Sequence, residues 1–152
     1  MIIAIDPGKS GAIAVVDGAK LLDVVDMPIE DKQVDAFALG EIINLFALGF
    51  NVNQAVIERV AARPNQGVVS MFNFGLSYGI AQGVLGAFGM DTSFVLPQRW
   101  KKDLNVSSDK DDARVLAQDL WPHNHEWFAR KKDHGRAEAA LIGYWKELFD
   151  GN

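Results

Sequence analysis

The first third of the chain alternates short apolar runs with turn residues, which is typical of a sheet. Residues 2–5 are apolar and lead into Asp6 and a Pro-Gly turn, so they predict a buried strand with a carboxylate at its end. A second apolar run at 12–16 is joined by an Asp-Gly hairpin signal to a third at 20–27, and a polar connection follows at 28–32. The pattern predicts three antiparallel strands at the start of the chain.

After these strands, helices alternate with strands. Residues 34–48 carry apolar positions with a 3.6-residue period, which predicts a helix, and a short apolar strand follows at 55–58. A long helix at 66–88 and a strand at 92–96 repeat this order. Because a helical crossover returns the chain in the same direction, we expect the later two strands to lie parallel to the first. Further helices are predicted at 98–104, at 109–120 with Ser107 or Ser108 as its cap, and at 135–149.

Length and composition predict the class of protein. The 152 residues form a single α/β domain, 1–152, with 49% apolar and 23% charged residues. No run of about 18 apolar residues is free of charge and no basic leader precedes the first strand, so we expect no membrane partner and no targeting segment. The absence of cysteine fits a cytoplasmic location and leaves oxygen and imidazole as the metal ligands, which favours Mg²⁺ or Mn²⁺ over zinc.

Charge is distributed unevenly along the chain. The net charge is −5, which argues mildly against a nucleic-acid partner, but residues 1–58 carry three basic and nine acidic side chains. Residues 97–146 carry ten basic and eight acidic side chains, so the C-terminal half is locally positive. Such local patches matter more for binding than the total charge. For each basic residue taken alone, an alternative interpretation is that it lies on a solvent-exposed helix face and binds nothing.

Acidic residues lie where separate elements of the predicted fold converge. Asp6 and Glu58 end two strands that we expect to be parallel neighbours, and strand ends of this kind are common ligand sites. Glu138 lies in an alanine-rich turn of the last helix, preceded by Asp133 and His134. Converging carboxylates repel one another unless cations bridge them, and two divalent ions there can support phosphoryl transfer. For Asp6 alone, a turn-forming role before Pro-Gly is an equally good interpretation.

The long helix carries two distinct stripes. One is small and polar, and the other consists of glycines, each of which costs about 1 kcal/mol relative to alanine inside a helix. The polar stripe is Gln66, Ser70, Asn73 and Ser77, and the glycine stripe is Gly75, Gly79, Gly83 and Gly86. The glycines predict close approach of another backbone, through packing on the sheet or against a helix, including across a dimer, rather than direct ligand contact.

Three motifs together resemble the RuvC family of Holliday-junction resolvases, and in particular its short, phage-type members. They are Ile5-Asp6-Pro7-Gly8 with Gly11, Ile57-Glu58, and the segment 133–139. The resemblance implies a ribonuclease H-like fold with a five-stranded mixed sheet, three strands antiparallel and then two parallel. It also implies a homodimeric endonuclease, dependent on Mg²⁺ or Mn²⁺ with two ions, that makes paired nicks in branched DNA such as four-way junctions in a bacterial or phage-infected cell.

The resemblance assigns the site residues. It makes Asp6 and Glu58 metal ligands on the strands and Glu138 the ligand on the helix. The family's fourth acidic position lies three residues before the last acidic ligand, and here that position is Gly135. We assign the fourth catalytic and metal-binding role to Asp133, with His134 as the alternative.

The resemblance and the basic patches also indicate DNA contacts. Phe72 and Phe74, near the start of the long helix, are candidates for stacking on an unpaired base, although both could equally be core residues. The candidate phosphate contacts are Arg59, Arg63, Lys101, Lys102, Lys110, Lys131, Lys132 and Arg136.

Other functions fit the same fold. One is a monomeric ribonuclease H-like nuclease acting on RNA or a hybrid, and another is a non-catalytic nucleic-acid-binding domain. Sugar kinases and actin-like ATPases also place an Asp near the end of the first strand, but they resemble two tandem copies of the fold, whereas 152 residues hold one. The glycine stripe modestly favours the dimeric resolvase.

Overall fold

A mixed five-stranded sheet forms the centre of the computed structural model, which describes residues 1–150. The strands are β1 (Ile2–Asp6), β2 (Ala12–Asp17), β3 (Lys20–Asp26), β4 (Ile29–Glu30), β5 (Gln33–Val34), β6 (Gln54–Glu58) and β7 (Asp91–Val95). The helices are α1 (Ala36–Gly49), α2 (Val68–Ala87), α3 (Pro97–Asp103), α4 (Lys110–Leu120) and α5 (His134–Leu148). Strand order is β3-β2-β1-β6-β7, antiparallel up to β1 and parallel from β1 to β7. This arrangement confirms the predicted sheet.

Three local features differ from the sequence prediction. The polar connection after β3 contains a small two-stranded hairpin, β4 with β5, whose turn holds Asp31 and Lys32 at positive φ. The cap of α4 is Asp109, whose carboxylate accepts the Asp111 N–H at 2.9 Å, and Ser107 instead accepts the N–H of Asp109. Residues 122–128 and 131–133 form short 3₁₀ turns, between the helices predicted at 109–120 and 135–149 where no element is predicted.

Side chains of β1 alternate between two cores, as the pleat of a strand requires. Ile3 and Ile5 pack with α1 and α2 on one face of the sheet. Ile2 and Ala4 pack with α4 and α5 on the other face. Asp6 continues the even-numbered series, so the strand directs its carboxylate toward the face that α5 covers.

Small residues let α5 lie unusually close to the sheet. A Cβ added to Gly135 would fall 2.0 Å from the carbonyl oxygen of Ser10, and one added to Gly143 would fall 2.7 Å from a methyl of Val16. Ala139 and Ala140 between them are fully buried. Any side chain at position 135, including an aspartate, would therefore push the helix away from the turn that follows β1.

Helix α2 is largely uncovered. A Cβ at any of its four stripe glycines (Gly75, Gly79, Gly83, Gly86) would meet nothing within 4 Å, so the close approach predicted there is absent from residues 1–150. The helix holds no charged residue and has a mean hydropathy of 1.3 over an 18-residue window. By length and composition alone it could cross a membrane, contrary to the expectation from sequence. It also forms one wall of the cavity described next.

Candidate active site

A cavity of about 500 Å³ opens at the carboxyl end of β1, where α2, α3 and α5 converge. Asp6, Glu58 and Glu138 all line it, although they are separated by up to 132 positions in the chain. The parallel register explains the first two, because Ile5 pairs with Ile57 and the next residue of each strand is therefore a neighbour on the same face. The predicted convergence of these three carboxylates is thus present in the fold.

Each carboxylate of this cluster has a specific hydrogen-bond partner. The indole N–H of Trp100 donates to Glu58 at 2.7 Å, and the ammonium of Lys101 donates to Glu138 at 2.7 Å. The N–H of Gly8 donates to Asp6 at 3.3 Å, which makes the Pro-Gly turn part of the site. Asp6 is only 8% exposed, so turn formation alone does not account for it.

Burial and mutual repulsion raise the pKa values of two carboxylates in the cluster. Burial raises the pKa of Asp6 well above its ordinary range, and the nearby charges of Glu138 and Glu58 raise it further. Burial also raises the pKa of Glu58, although the hydrogen bond from Trp100 opposes the rise. Desolvated carboxylates of this kind are stabilised by a nearby cation.

The donor set fits a hard divalent cation. Three carboxylates provide the oxygen ligands that Mg²⁺ and Mn²⁺ prefer, and the His134 side chain on the cavity wall could add a nitrogen. Among residues 1–150, however, no three acidic, histidine or cysteine side chains lie close enough together to hold a metal ion as they stand. Glu58 and Glu138 are held instead by Trp100 and Lys101.

The assignment of Asp133 is not supported by its position. Its carboxylate does not line the cavity; it is 1% exposed and accepts the Arg130 N–H and guanidinium, both at 2.8 Å. Burial tends to raise the pKa of Asp133, but the hydrogen bonds from Arg130 outweigh it and leave the pKa lowered. The first turn of α5 places His134 on the cavity wall, one turn before Glu138, as expected if the helix already included this residue.

The predicted DNA contacts divide into three groups. Arg63, Phe74, Lys101 and Lys110 line the cavity. Lys102, Lys131, Lys132 and Phe72, which is 70% exposed, are at the surface outside it, and Phe74 is 43% exposed, so neither phenylalanine belongs to the core. Arg59 and Arg136 have partners within the fold: Arg59 lies 5.5 Å from the ring centre of Phe94, and Arg136 pairs with Asp26 at 2.6 Å.

Sequence reasoning missed the contacts that α3 makes with the cluster. Trp100 is fully buried, and a buried indole N–H requires an acceptor, which here is Glu58. The sequence signal for these contacts is the pair Trp100-Lys101, which lies a few residues after the strand and Pro97. The position of the polar stripe of α2 was also not predictable from its spacing. Three of its residues, Ser70, Asn73 and Ser77, line the cavity.

Comparison with solved structures identifies the fold. The structure of RuvC from T. thermophilus in complex with a Holliday junction substrate matches with a TM-score of 0.67 and 14% identity, over 98% of this chain and 93% of that one. A second RuvC structure from Thermus thermophilus matches with a TM-score of 0.57 and 14% identity, over 95% and 93%. The chain has the ribonuclease H-like fold of RuvC.

One curated sequence is also similar. The chloroplastic Holliday junction resolvase MOC1 of Chlamydomonas reinhardtii is 33% identical over 84 residues, which cover 54% of this chain. The matched segment covers only 10% of the length of that relative. No family model matches the chain. The RuvC fold predicted from the motifs is therefore confirmed, and the sequence similarity points in the same direction.

The raised pKa of Asp6 predicts that this side chain costs stability when no metal is present. Between its ordinary pKa of 3.8 and its raised value, the folded protein binds a proton that the unfolded chain has lost, so stability falls as pH rises through that window. We expect Asp6→Asn to unfold roughly 3 °C higher than the wild type near neutral pH in a chelator, the shift for about 1 kcal/mol at this size.

Thermal unfolding from about pH 4 to about pH 8 measures this difference, which is expected to shrink toward the acid end. Asp91→Asn, at an exposed position on β7, is the matched control and should shift little. An Asp6→Asn variant less stable than the wild type at every pH would show that the carboxylate stabilises the fold.

Proposed function

We propose that this chain is a metal-dependent endonuclease of the RuvC family that resolves branched DNA, in particular four-way junctions, by paired nicks. The observation that carries the proposal is the convergence of Asp6, Glu58 and Glu138 in one cavity whose rim holds Arg63 and Lys110. Similarity to a Holliday junction resolvase and to RuvC in complex with its junction supports it. The cysteine-free composition is compatible with the cytoplasm of a bacterial or phage-infected cell, where we place the activity.

In this proposal the three carboxylates hold two divalent cations, either Mg²⁺ or Mn²⁺. The ions, when bound, supply Lewis acidity for hydrolysis of a phosphodiester. The chain itself fixes the ligands: β1 and β6 set Asp6 beside Glu58, and α5 brings Glu138 over them. Arg63, Lys110 and the surface lysines bind phosphates, and Phe72 and Phe74 present aromatic rings to unpaired bases.

His134 is the fourth active-site group in this proposal, in place of Asp133. Its Nδ1 lies 3.2 Å from the carbonyl oxygen of Lys131. A proton on Nδ1 donated to that carbonyl leaves Nε2 as an unprotonated acceptor, suited to bind a cation or to take a proton from water. Asp133 serves instead to pair with Arg130 at the start of α5.

A homodimer is part of the proposal, with α2 as the contact. The helix leaves its four stripe glycines uncovered, and only 17% of its apolar window is buried within the chain. Glycines at three- and four-residue spacing let two helices approach closely. Two copies would also supply the two active sites that paired nicking requires.

The alternatives are not favoured. A monomeric ribonuclease would leave the apolar face of α2 in water, and a non-catalytic binding domain would have no use for three carboxylates that converge from two strands and a helix into one cavity.

Cleavage of a synthetic four-way junction tests the activity directly. The wild type should nick it at symmetrical positions with Mg²⁺ or Mn²⁺, and Glu58→Gln or Glu138→Gln should lower the rate at least about a hundredfold because a metal ligand is lost. Gel analysis of labelled junctions measures the rate, with Asp91→Asn as an acidic control away from the cavity. Equal cutting of linear duplex, or full activity in both variants, would contradict the proposal.

The same assay separates the two candidates for the fourth group. His134→Ala should lower the nicking rate about a hundredfold or more, since it removes the cavity-facing acceptor. Asp133→Asn should stay within a few-fold of the wild type once its loss of stability from the broken pair with Arg130 is compensated by a lower assay temperature. An inactive, folded Asp133→Asn beside an active His134→Ala would restore the assignment made from sequence.

Sedimentation analysis tests the dimer. Gly79→Leu should convert a dimeric wild type into a folded monomer, because the new side chain blocks close helix approach while improving helix propensity. Gly49→Leu, at another glycine with open space around it, is the matched control and should remain dimeric. A monomeric wild type, or a Gly79→Leu variant that stays dimeric, would exclude α2 as the contact.

A further inference from the structure

Lys101 lines the cavity that holds the carboxylate cluster and contacts one of its members. Its ammonium lies 2.7 Å from Glu138, with side-chain exposures of 25% for the lysine and 14% for the glutamate. It also lies 5.2 Å from the ring centre of Trp100, the neighbour that holds Glu58. One short helix therefore supplies a partner to a carboxylate of β6 and to a carboxylate of α5.

The position of α3 is itself fixed. Asp103 at its end accepts the indole N–H of Trp145 from α5 at 2.8 Å and pairs with Arg99 at 2.9 Å. Trp100 is fully buried. The lysine that follows it is consequently directed into the cavity by its backbone, rather than reaching there as a free surface side chain.

The positive charge acts on more than Glu138. Asp6 and Glu58 line the same cavity as Lys101 and its partner Glu138, so one ammonium faces three carboxylates. A single ammonium cannot neutralise three carboxylates. The cluster thus carries a partial counter-charge and retains an attraction for a stronger cation.

We propose that Lys101 is a built-in counter-ion, which holds Glu138 in the metal-free protein and competes with a divalent cation for the same oxygens. This inference rests on the proposed function, because it takes the cluster to be a divalent-cation site. The Lys101 ammonium and a divalent cation bound by Glu138 would lie side by side as like charges, so the lysine must move away when the site is filled. Its flexible four-carbon stem permits that movement without a shift of α3. Lys101 is thus a positioning residue.

Mn²⁺ binding measured by calorimetry, without DNA, tests the competition. Lys101→Met keeps the length of the side chain and removes its charge, so Mn²⁺ should bind roughly three- to tenfold tighter than to the wild type. Arg99→Met is the matched control, since it removes one charge and one ion pair from the same helix but lies outside the cavity. Its Mn²⁺ affinity should stay within about twofold of the wild type.

Thermal unfolding provides a second readout that a purely structural role would not reproduce. In a chelator, Lys101→Met should unfold at a lower temperature than the wild type, and Mn²⁺ should then raise its unfolding temperature by more than it raises that of the wild type. Lys101→Gln replaces the methionine variant if the latter does not fold. Unchanged or weaker Mn²⁺ binding in the folded Lys101 variant would overturn the proposal.

The proposed nuclease function and the counter-ion role of Lys101 can be contradicted by different results. If wild-type protein binds no Mn²⁺ and does not nick a junction, the proposed function fails. If the wild type binds Mn²⁺ and nicks, while Lys101→Met and Arg99→Met bind Mn²⁺ equally, only the counter-ion role of Lys101 fails.

Discussion

The Asp6 carboxylate is buried at the end of the central strand, and the neighbouring elements are arranged around its desolvation. The central strand directs it into the face covered by α5, where desolvation and two neighbouring carboxylates disfavour its charge. The surrounding elements compensate: Gly8 donates an N–H, Trp100 binds Glu58, and Lys101 binds Glu138. An apolar residue at this position would stabilise the fold more than a buried carboxylate does, and this cost is one reason why we propose a cation site here.

Strand order and register account for how much of the site could be predicted from sequence. Apolar runs and turn residues define β1 and β6, and the alternation of a pleated strand then places Asp6 beside Glu58 without any tertiary information. Glu138 was recognisable because a charge among alanines is out of keeping with a buried helical turn. These inferences depend on short-range periodicity, which a single sequence records well.

The details that sequence could not provide depend on fractions of a helical turn or on distant contacts. Asp133 and His134 are adjacent, and which one faces the cavity depends on whether α5 begins before or after the 3₁₀ turn. Trp100 and Glu58 are 42 positions apart, so no local pattern links them. The glycine stripe of α2 is ambiguous in the sequence for a related reason, since its spacing indicates a surface that lacks side chains but not whether the same chain or a second copy covers it.

The contact between Gly135 and Ser10 has a consequence for how accurately the site is assembled. The backbone of the turn after β1 and the first turn of α5 touch directly, which sets the distance between the segments that carry Asp6 and Glu138. Glu58 is set beside Asp6 by a different backbone contact, the parallel pairing of β6 with β1. A side chain added at position 135 should therefore displace Glu138 while leaving the spacing of Asp6 and Glu58 unchanged.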